Sequence, residues 1–459
     1  MFLLAVSLDP AQAQSIFCPT AVGGQAGIAQ QGGECTNGDV GAFSNAAVAA
    51  QALSDISQSS TQQANLVTTE AVAERRSTEA QSCPAGFTRR NGTCERVVAE
   101  TPASEPARSS SSPGRTVTAP RRAVRPAPAP VYKAPVDVRP PIKVATWVKG
   151  YGDYERRTGK AQSSIDCCDA TPGGELLIPL SLSSVSRSTT GGVVGGADIT
   201  WRGVMAPGDG LIAGLLTGYM STDTKLTTTS TSANPALAAS GVAQLNAHLR
   251  GPALGAYLTY FRGGYSADLT FKADFLDMAV NFSDTLGFSF NTGGAPANAT
   301  VVGSGSTSLT NYTTSGNLNY RFPSAGPFWV QPTVGFQYIV TDYSAGAAAL
   351  GLADGSLLRL QGGAVFGADY RSGTYRITPS VTGLAYEDVS VTGGFVANGL
   401  FVNIPLGLSG EGKLRGQGIF TLNIDNGQGL SGFVQTDVRG GSDLFGYGGK
   451  AGLRWEWAS

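Results

Sequence analysis

At 459 residues, with 32 Lys and Arg against 33 Asp and Glu, one His and a net charge of −1, the chain has no global electrostatic bias. That balance, without sustained interleaving of basic and aromatic residues, argues against a nucleic-acid partner, and the absence of any apolar run of about 18 residues excludes a helical membrane protein. The 62 Gly, the charged fraction of only 14% and a mean hydropathy near zero suit a β-barrel, whose strands turn only alternate residues to lipid.

The first residues, Met1 to Leu8, read as the end of a secretory signal, and Ala11-Gln12-Ala13 supplies a small-x-small cleavage pattern. The stretch lacks a basic leader, so the natural start is expected upstream. Residues 14–42 are Gly- and Gln-rich with little periodicity. From Ser44 to about Ala80 Pro and Gly vanish, and Ala47, Ala50, Leu53, Ile56, Val67 and Val72 fall at loosely helical spacing behind a Ser44 cap. The apolar stripe is thin: it suits a helix packed on another element or a marginal coiled coil, and a solvated helix somewhat better. Cys83 to Cys94 reads as a hairpin turning at Asn91-Gly92. Six cysteines form close pairs, Cys18 with Cys35, Cys83 with Cys94 and Cys167 beside Cys168, which an oxidising compartment can close into small loops. Cys167 and Cys168 either form a vicinal disulfide or stay free. Zinc suits these spacings poorly, and the lone His248 offers it no partner.

Residues 101–143 contain ten prolines and a basic excess that includes Arg121, Arg122 and Arg125. Such a segment buries no core. As polyproline II, at roughly 3.1 Å per residue, it reaches on the order of 100 Å. It reads as a spacer between a short N-terminal segment (14–100) and everything after Val144.

Beyond Val144, strand follows strand. Phe328, Val330, Val334, Phe336, Tyr338 and Val340 share one face, against Gln331, Thr333, Gly335 and Gln337 on the other. Tyr265, Leu269, Phe271 and Phe275 oppose Ser266, Asp268, Lys272 and Asp274 in the same way. Twelve strands are expected, near 144–155, 190–202, 209–222, 245–262, 264–282, 306–322, 326–343, 355–371, 373–390, 411–425, 429–440 and 446–457. Short connections (203–208, 263–264, 323–326, 372–373, 426–428) alternate with long ones (156–189, 223–244, 283–305, 344–354, 391–410). An even strand count and that alternation are the marks of an all-β, antiparallel transmembrane barrel with short turns on one side and long loops on the other.

The final strand, Phe445 to Trp457, turns Tyr447, Ala451, Leu453, Trp455 and Trp457 to one face, and Lys450, Arg454 and Glu456 to the other. Lys450, Gly452, Trp455 and Trp457 stand where the C-terminal signal of bacterial outer-membrane barrels has a polar residue, a glycine and two aromatic or apolar residues. Here Ala458 and Ser459 follow. Trp147-Val148-Lys149-Gly150-Tyr151-Gly152-Asp153-Tyr154, Gly192 to Asp198 and Gly255 to Tyr265 complete a pattern that resembles the autotransporter β-domain over 144–459. The resemblance implies a twelve-stranded, monomeric barrel in the outer membrane of a Gram-negative bacterium. It implies lipid and lipopolysaccharide around the barrel, the barrel-assembly machinery as a biogenesis partner, no cofactor, and a role in anchoring and displaying an N-terminal passenger. Two departures stand out. The family's pore helix lies just before the first strand, where this chain is proline-rich, and no Asn-Asn pair is present for the self-cleavage that some members perform.

One histidine leaves little room for a Ser-His-Asp triad or a histidine metal site, and no catalytic constellation is visible, so no enzyme is expected. His248 is expected to point into the lumen beside Asn246 and Arg250. Asp268, Lys272, Asp274, Arg376, Lys413, Arg415, Arg439 and Arg454 are expected to form a hydrated ion-pair network there. The alternative to display is a structural or channel role, with the N-terminal segment left in the periplasm.

Overall fold

The computed structural model describes residues 29–31, 34–36, 53–54, 57–66, 68, 87–90 and 93–96, and then 142–457 apart from 168–175, 207, 233–236, 291–296, 323–325, 345, 351 and 396–410. Cys18, Cys83 and Cys168 lie outside these residues, as does the cleavage pattern at Ala11–Ala13. Two small hairpins precede the barrel. In one, Phe87–Arg90 pairs with Thr93–Arg96, and the Arg90↔Thr93 register leaves the expected two-residue turn at Asn91-Gly92. The other pairs Ala29–Gln31 with Glu34–Thr36.

The rest is a closed antiparallel barrel. Its strands are β1 (Lys143–Cys167), β2 (Leu176–Arg202), β3 (Asp209–Ser232), β4 (Leu237–Arg262), β5 (Tyr265–Phe290), β6 (Ala297–Tyr320), β7 (Phe328–Tyr343), β8 (Leu352–Ala368), β9 (Tyr375–Phe395), β10 (Leu414–Asp425), β11 (Leu430–Gly440) and β12 (Leu444–Trp457). A three-residue piece, Tyr370–Ser372, extends the β8 side of the β9 pairing. The last strand closes on the first over Leu444↔Arg157 to Trp457↔Val144. Every strand thereby finds two neighbours, and the sheet keeps no open edge within the wall.

Both ends of the barrel sheet lie at one rim, here the turn end. Tight connections sit there: Gly263, with a positive φ of 57°, lets β4 turn into β5 between Arg262 and Tyr265. From this rim upward the outer face is apolar, while the inner face is polar on strands such as β5 and mixed on β1 to β4, where Trp147, Ile212, Leu216, Met220, Tyr257 and Phe261 are buried inside. On β5, Tyr265, Phe271 and Phe275 are exposed, whereas Ser266, Asp268, Thr270, Lys272 and Asp274 are buried. The stretch from Tyr265 to Phe275 matches the about 9–11 residues that a tilted strand needs to cross a bilayer. Aromatic pairs flank the belt, with Trp455–Trp457 and Tyr265–Tyr320 at the turn end and Tyr154–Tyr447 and Phe445–Tyr447 at the upper edge.

Above the belt the pattern inverts. The first polar outer rung is Ser221, Arg250, Asp277 and Ser308, opposite one another on β3 to β6, and Ser308 Oγ donates to Asp277 at 2.9 Å. From that level upward the inner face mixes apolar and hydroxyl side chains: Leu226 faces Leu245, Leu249 faces Met278 and Leu276 faces Leu309, all buried, while Ser184 bonds Thr228 at 3.0 Å and Thr190 bonds Thr222 at 2.9 Å. Here the wall has water outside and a packed interior, as a soluble sheet does.

The turn-end starts of the twelve strands follow the sequence reading, but their upper ends do not. Most of 156–189, 223–244 and 283–305, expected as loops, is strand in β1 to β6. Once charged and hydroxyl-bearing residues such as Arg187, Asp223, Lys225 and Thr229 replace apolar ones on the outer face, the lipid-facing signature is lost although pairing continues. His248 is corrected for the same reason. It lies on the outer face, with Nδ1 2.7 Å from Asp223 Oδ1, while Leu245, Ala247 and Leu249 point inward.

Candidate functional site: the barrel lumen

Three zones line the lumen. Near the turn end, Trp147 Nε1 donates to Tyr257 Oη at 3.0 Å, Tyr257 Oη donates to Asp198 at 2.7 Å, and Arg454 Nη2 donates to the same Asp198 oxygen. These residues come from β1, β4, β2 and β12, so one buried polar chain ties the closing seam to β2 and β4. Beside it, Lys149 Nζ sits 3.8 Å from the centre of the Phe433 ring. Gly452 makes room for this pair: a Cβ there would lie 2.3 Å from Phe433 and 2.8 Å from Lys149.

The second zone lies higher, on β8 to β12 and β1. Arg439 reaches Asp153 at 2.5 Å, Glu155 at 3.2 Å and Asp437 at 3.2 Å. Arg157 Nε is 2.6 Å from Glu155. Arg359 holds Asp388 through two hydrogen bonds, at 2.7 and 3.1 Å, and Arg415 bridges Asp388 and Asp443 at 3.3 and 2.8 Å. Lys413 joins Asp443 at 3.1 Å, and on the facing wall Lys272 meets Asp274 at 3.0 Å; down at the turn end Arg376 reaches Asp369 at 3.5 Å. Of the expected lumenal charges, Lys272, Asp274, Arg376, Lys413, Arg415, Arg439 and Arg454 are therefore inside in ion pairs, and Asp268 is inside and accepts from Asn319 at 3.2 Å. Asp443, in the turn between β11 and β12, is held below the ordinary carboxylate range: burial pushes it up, and Arg415 and Lys413 more than offset that.

The third zone was not foreseen as part of the barrel. Residues 53–54, 57–66 and 68 are helical, and all but Leu66 are buried. Ser57 and Thr61, one turn apart on a single helix face, both accept from Asn311 Nδ2, at 3.1 and 2.7 Å, and Thr341 donates to Asn311 at 2.7 Å. From the opposite helix face Ser59 Oγ donates to Glu155 at 2.9 Å. Asn311 is on β6 and Glu155 on β1, nearly across the barrel, so the helix spans the lumen from wall to wall. Leu53 and Ala64 join the apolar cluster of Leu226, Leu245, Leu249 and Leu276, together with Ala347 and Leu350 of the 3₁₀ turn Ala347–Leu350. The sequence reading found a helix here but expected it in solvent, because its apolar stripe is thin. A polar lumen changes that rule: Ser, Thr and Gln are what such a seat accepts.

Of the C-terminal residues singled out in the sequence, Trp455 and Trp457 are outside at the turn-end rim, Lys450 is inside at 3.8 Å from Asp437, and Gly452 is the clearance described above. Cys35, Cys94 and Cys167 fall within strands, and their partners lie outside the described residues.

With this geometry the chain can be set beside solved structures. The neighbours include autotransporter translocators. The β-domain of Bordetella BrkA matches at 15% identity and a TM-score of 0.37, covering 66% of this chain and 98% of that one. The transport unit of Escherichia coli AIDA-I matches at 14% and 0.40, covering 68% and 90%. A Pseudomonas aeruginosa FadL homologue matches at 10% and 0.27, covering 68% and 89%. No family model and no curated protein matches the sequence.

Proposed function

We propose that this chain is an outer-membrane barrel of the autotransporter translocator type in a Gram-negative bacterium, an anchor and conduit rather than an enzyme. The turn end faces the periplasm and the loop end faces outward, as short turns and long loops do in such barrels. One observation carries the reading: a helical piece of the N-terminal extension, separated from β1 by the proline-rich stretch, occupies the lumen and bonds to both walls. In this reading the extension enters the pore, residues 53–68 stay as the plug, and the segment before them is displayed. Small disulfide loops at Cys18/Cys35 and Cys83/Cys94 would keep the passing chain narrow. Lys450, Gly452, Trp455 and Trp457 would serve as the signal to the barrel-assembly machinery, and the barrel would act as a monomer in lipid and lipopolysaccharide.

A second reading, a plugged channel whose extension stays periplasmic, is favoured by one feature of the helix. Side-chain atoms of Gln58, Gln62 and Asn65 are buried with no protein partner among the described residues, as suits a plug that leaves. An epitope inserted at Gly33 separates the two. Cleavage by protease on intact cells is the result expected for display. Cleavage only after the outer membrane is permeabilised would leave the channel reading.

A further inference from the structure

On the outer wall above the belt, three cations stand opposite one another on adjacent strands. Arg156 of β1 faces Arg187 of β2, and Arg187 faces Lys225 of β3. All three are exposed. Like charges directly opposite across a sheet are destabilising, so such a row calls for a compensating anion. No carboxylate supplies one among the described residues: the nearest acid on these strands, Asp223, is engaged by His248 at 2.7 Å.

The row's place identifies its counterpart. Arg156 is the next outward residue above Tyr154 at the upper edge of the belt, and Lys225 is the third above the exposed Tyr219. Arg156 also faces exposed Phe445 of β12, so apolar and cationic surface adjoin at this edge. An anion held here meets lipid below and water above. A soluble anion has no use for the apolar half, whereas a lipid whose phosphates crown its acyl chains matches both.

We propose that Arg156, Arg187 and Lys225 form a binding site for the phosphates of an outer-leaflet phosphoglycolipid, seating the barrel at a fixed depth. The site rests on the outer-membrane reading above. Its failure is distinguishable, because barrel formation is followed separately by heat-modifiable gel migration. A basic side chain near an anionic lipid surface contributes roughly fivefold in affinity, so the three together give about a hundredfold.

The test uses the full chain in neutral detergent, titrated with diphosphoryl lipid A, with its dephosphorylated form and with inorganic phosphate. Diphosphoryl lipid A should bind the protein about a hundredfold more tightly than it binds the combined variant Arg156→Gln, Arg187→Gln, Lys225→Gln. The turn-end variant Arg262→Gln should bind as the native protein does. Equal binding by the triple variant, equal binding of the dephosphorylated lipid, or full competition by inorganic phosphate at the lipid's own concentration would each overturn the proposal. If the triple variant fails to form a barrel, the native protein still decides: its affinity for diphosphoryl lipid A must fall steeply with salt, and a salt-independent affinity overturns the site.

Discussion

At the start of β3, beyond the belt, the Asp209 carboxylate accepts from the backbone N–H groups of Val204 at 2.8 Å, Met205 at 3.0 Å and Ala206 at 2.8 Å, and from Tyr260 at 3.3 Å. Burial raises its pKa, and the four donors more than offset this, so the group is held below the ordinary carboxylate range. Gly203 and Gly208, with φ of 68° and 87°, supply the left-handed backbone that the turn requires. A folded pKa below the unfolded one gives stability that is present above the unfolded value, about 4, and lost as pH falls through the folded value. Asp209→Asn is therefore expected to lower barrel stability by about 1.5–3 kcal/mol at neutral pH, with the gap to native protein closing below about pH 4. Urea midpoints in detergent across pH 3–8 check this. A gap that is constant with pH would mean that the ionised carboxylate does not hold the turn.

Among the elements, the lumenal helix invites the closest energetic comparison. Burying Leu53 favours the seat by about 1.5–3 kcal/mol. Unpartnered buried polar atoms on Gln58, Gln62 and Asn65 each cost about 1–3 kcal/mol wherever water does not reach them. The hydrogen bonds to Asn311 and Glu155 then decide the balance, so the plug is held by few contacts and is displaceable. Deleting residues 53–68 is expected to raise the single-channel conductance of the reconstituted barrel several-fold, and Asn311→Leu to produce more frequent openings of the full chain. Unchanged conductance in the deletion would remove the helix from the conduction path. The same helix shows what a sequence can and cannot reveal. Strand halves crossing the belt, such as Tyr265–Phe275, were legible because lipid demands apolar residues at every second position. The upper halves were not. Stretches such as Ser183–Thr190 and Thr222–Ser232 carry Ser and Thr on both faces, with Ser184, Ser186, Thr190, Thr222, Thr224, Thr228 and Ser230 buried inside, so no apolar alternation marks them. His248 was placed on the wrong face because the alternation was extended through that inversion. Pairs such as Arg439 with Glu155 lie 284 positions apart in the chain, and closure alone brings them together.

For the whole molecule, wall and plug form a graded interior. Most ion pairs lie on β8 to β12 and β1 and face a wall on β2 to β6 that, apart from Asp198 and the Lys272–Asp274 pair, is largely apolar and hydroxyl-bearing, and the helix touches both. A barrel left with an open lumen would expose this interior to water at both rims. A segment of the chain's own N-terminal extension fills it instead, and the wall-to-wall contacts of Ser57, Ser59 and Thr61 are the central claim. The most direct measurement places cysteines at Thr61 and Asn311, whose side chains are 2.7 Å apart, in a background with the native cysteines replaced by serine. A short thiol crosslinker is applied to the folded barrel, and the joined peptides are identified by mass spectrometry. Efficient Thr61–Asn311 crosslinking, absent when Thr61 is paired instead with an outward position such as Tyr312, is the predicted result. Equal or no crosslinking at both positions would contradict a helix seated in the lumen.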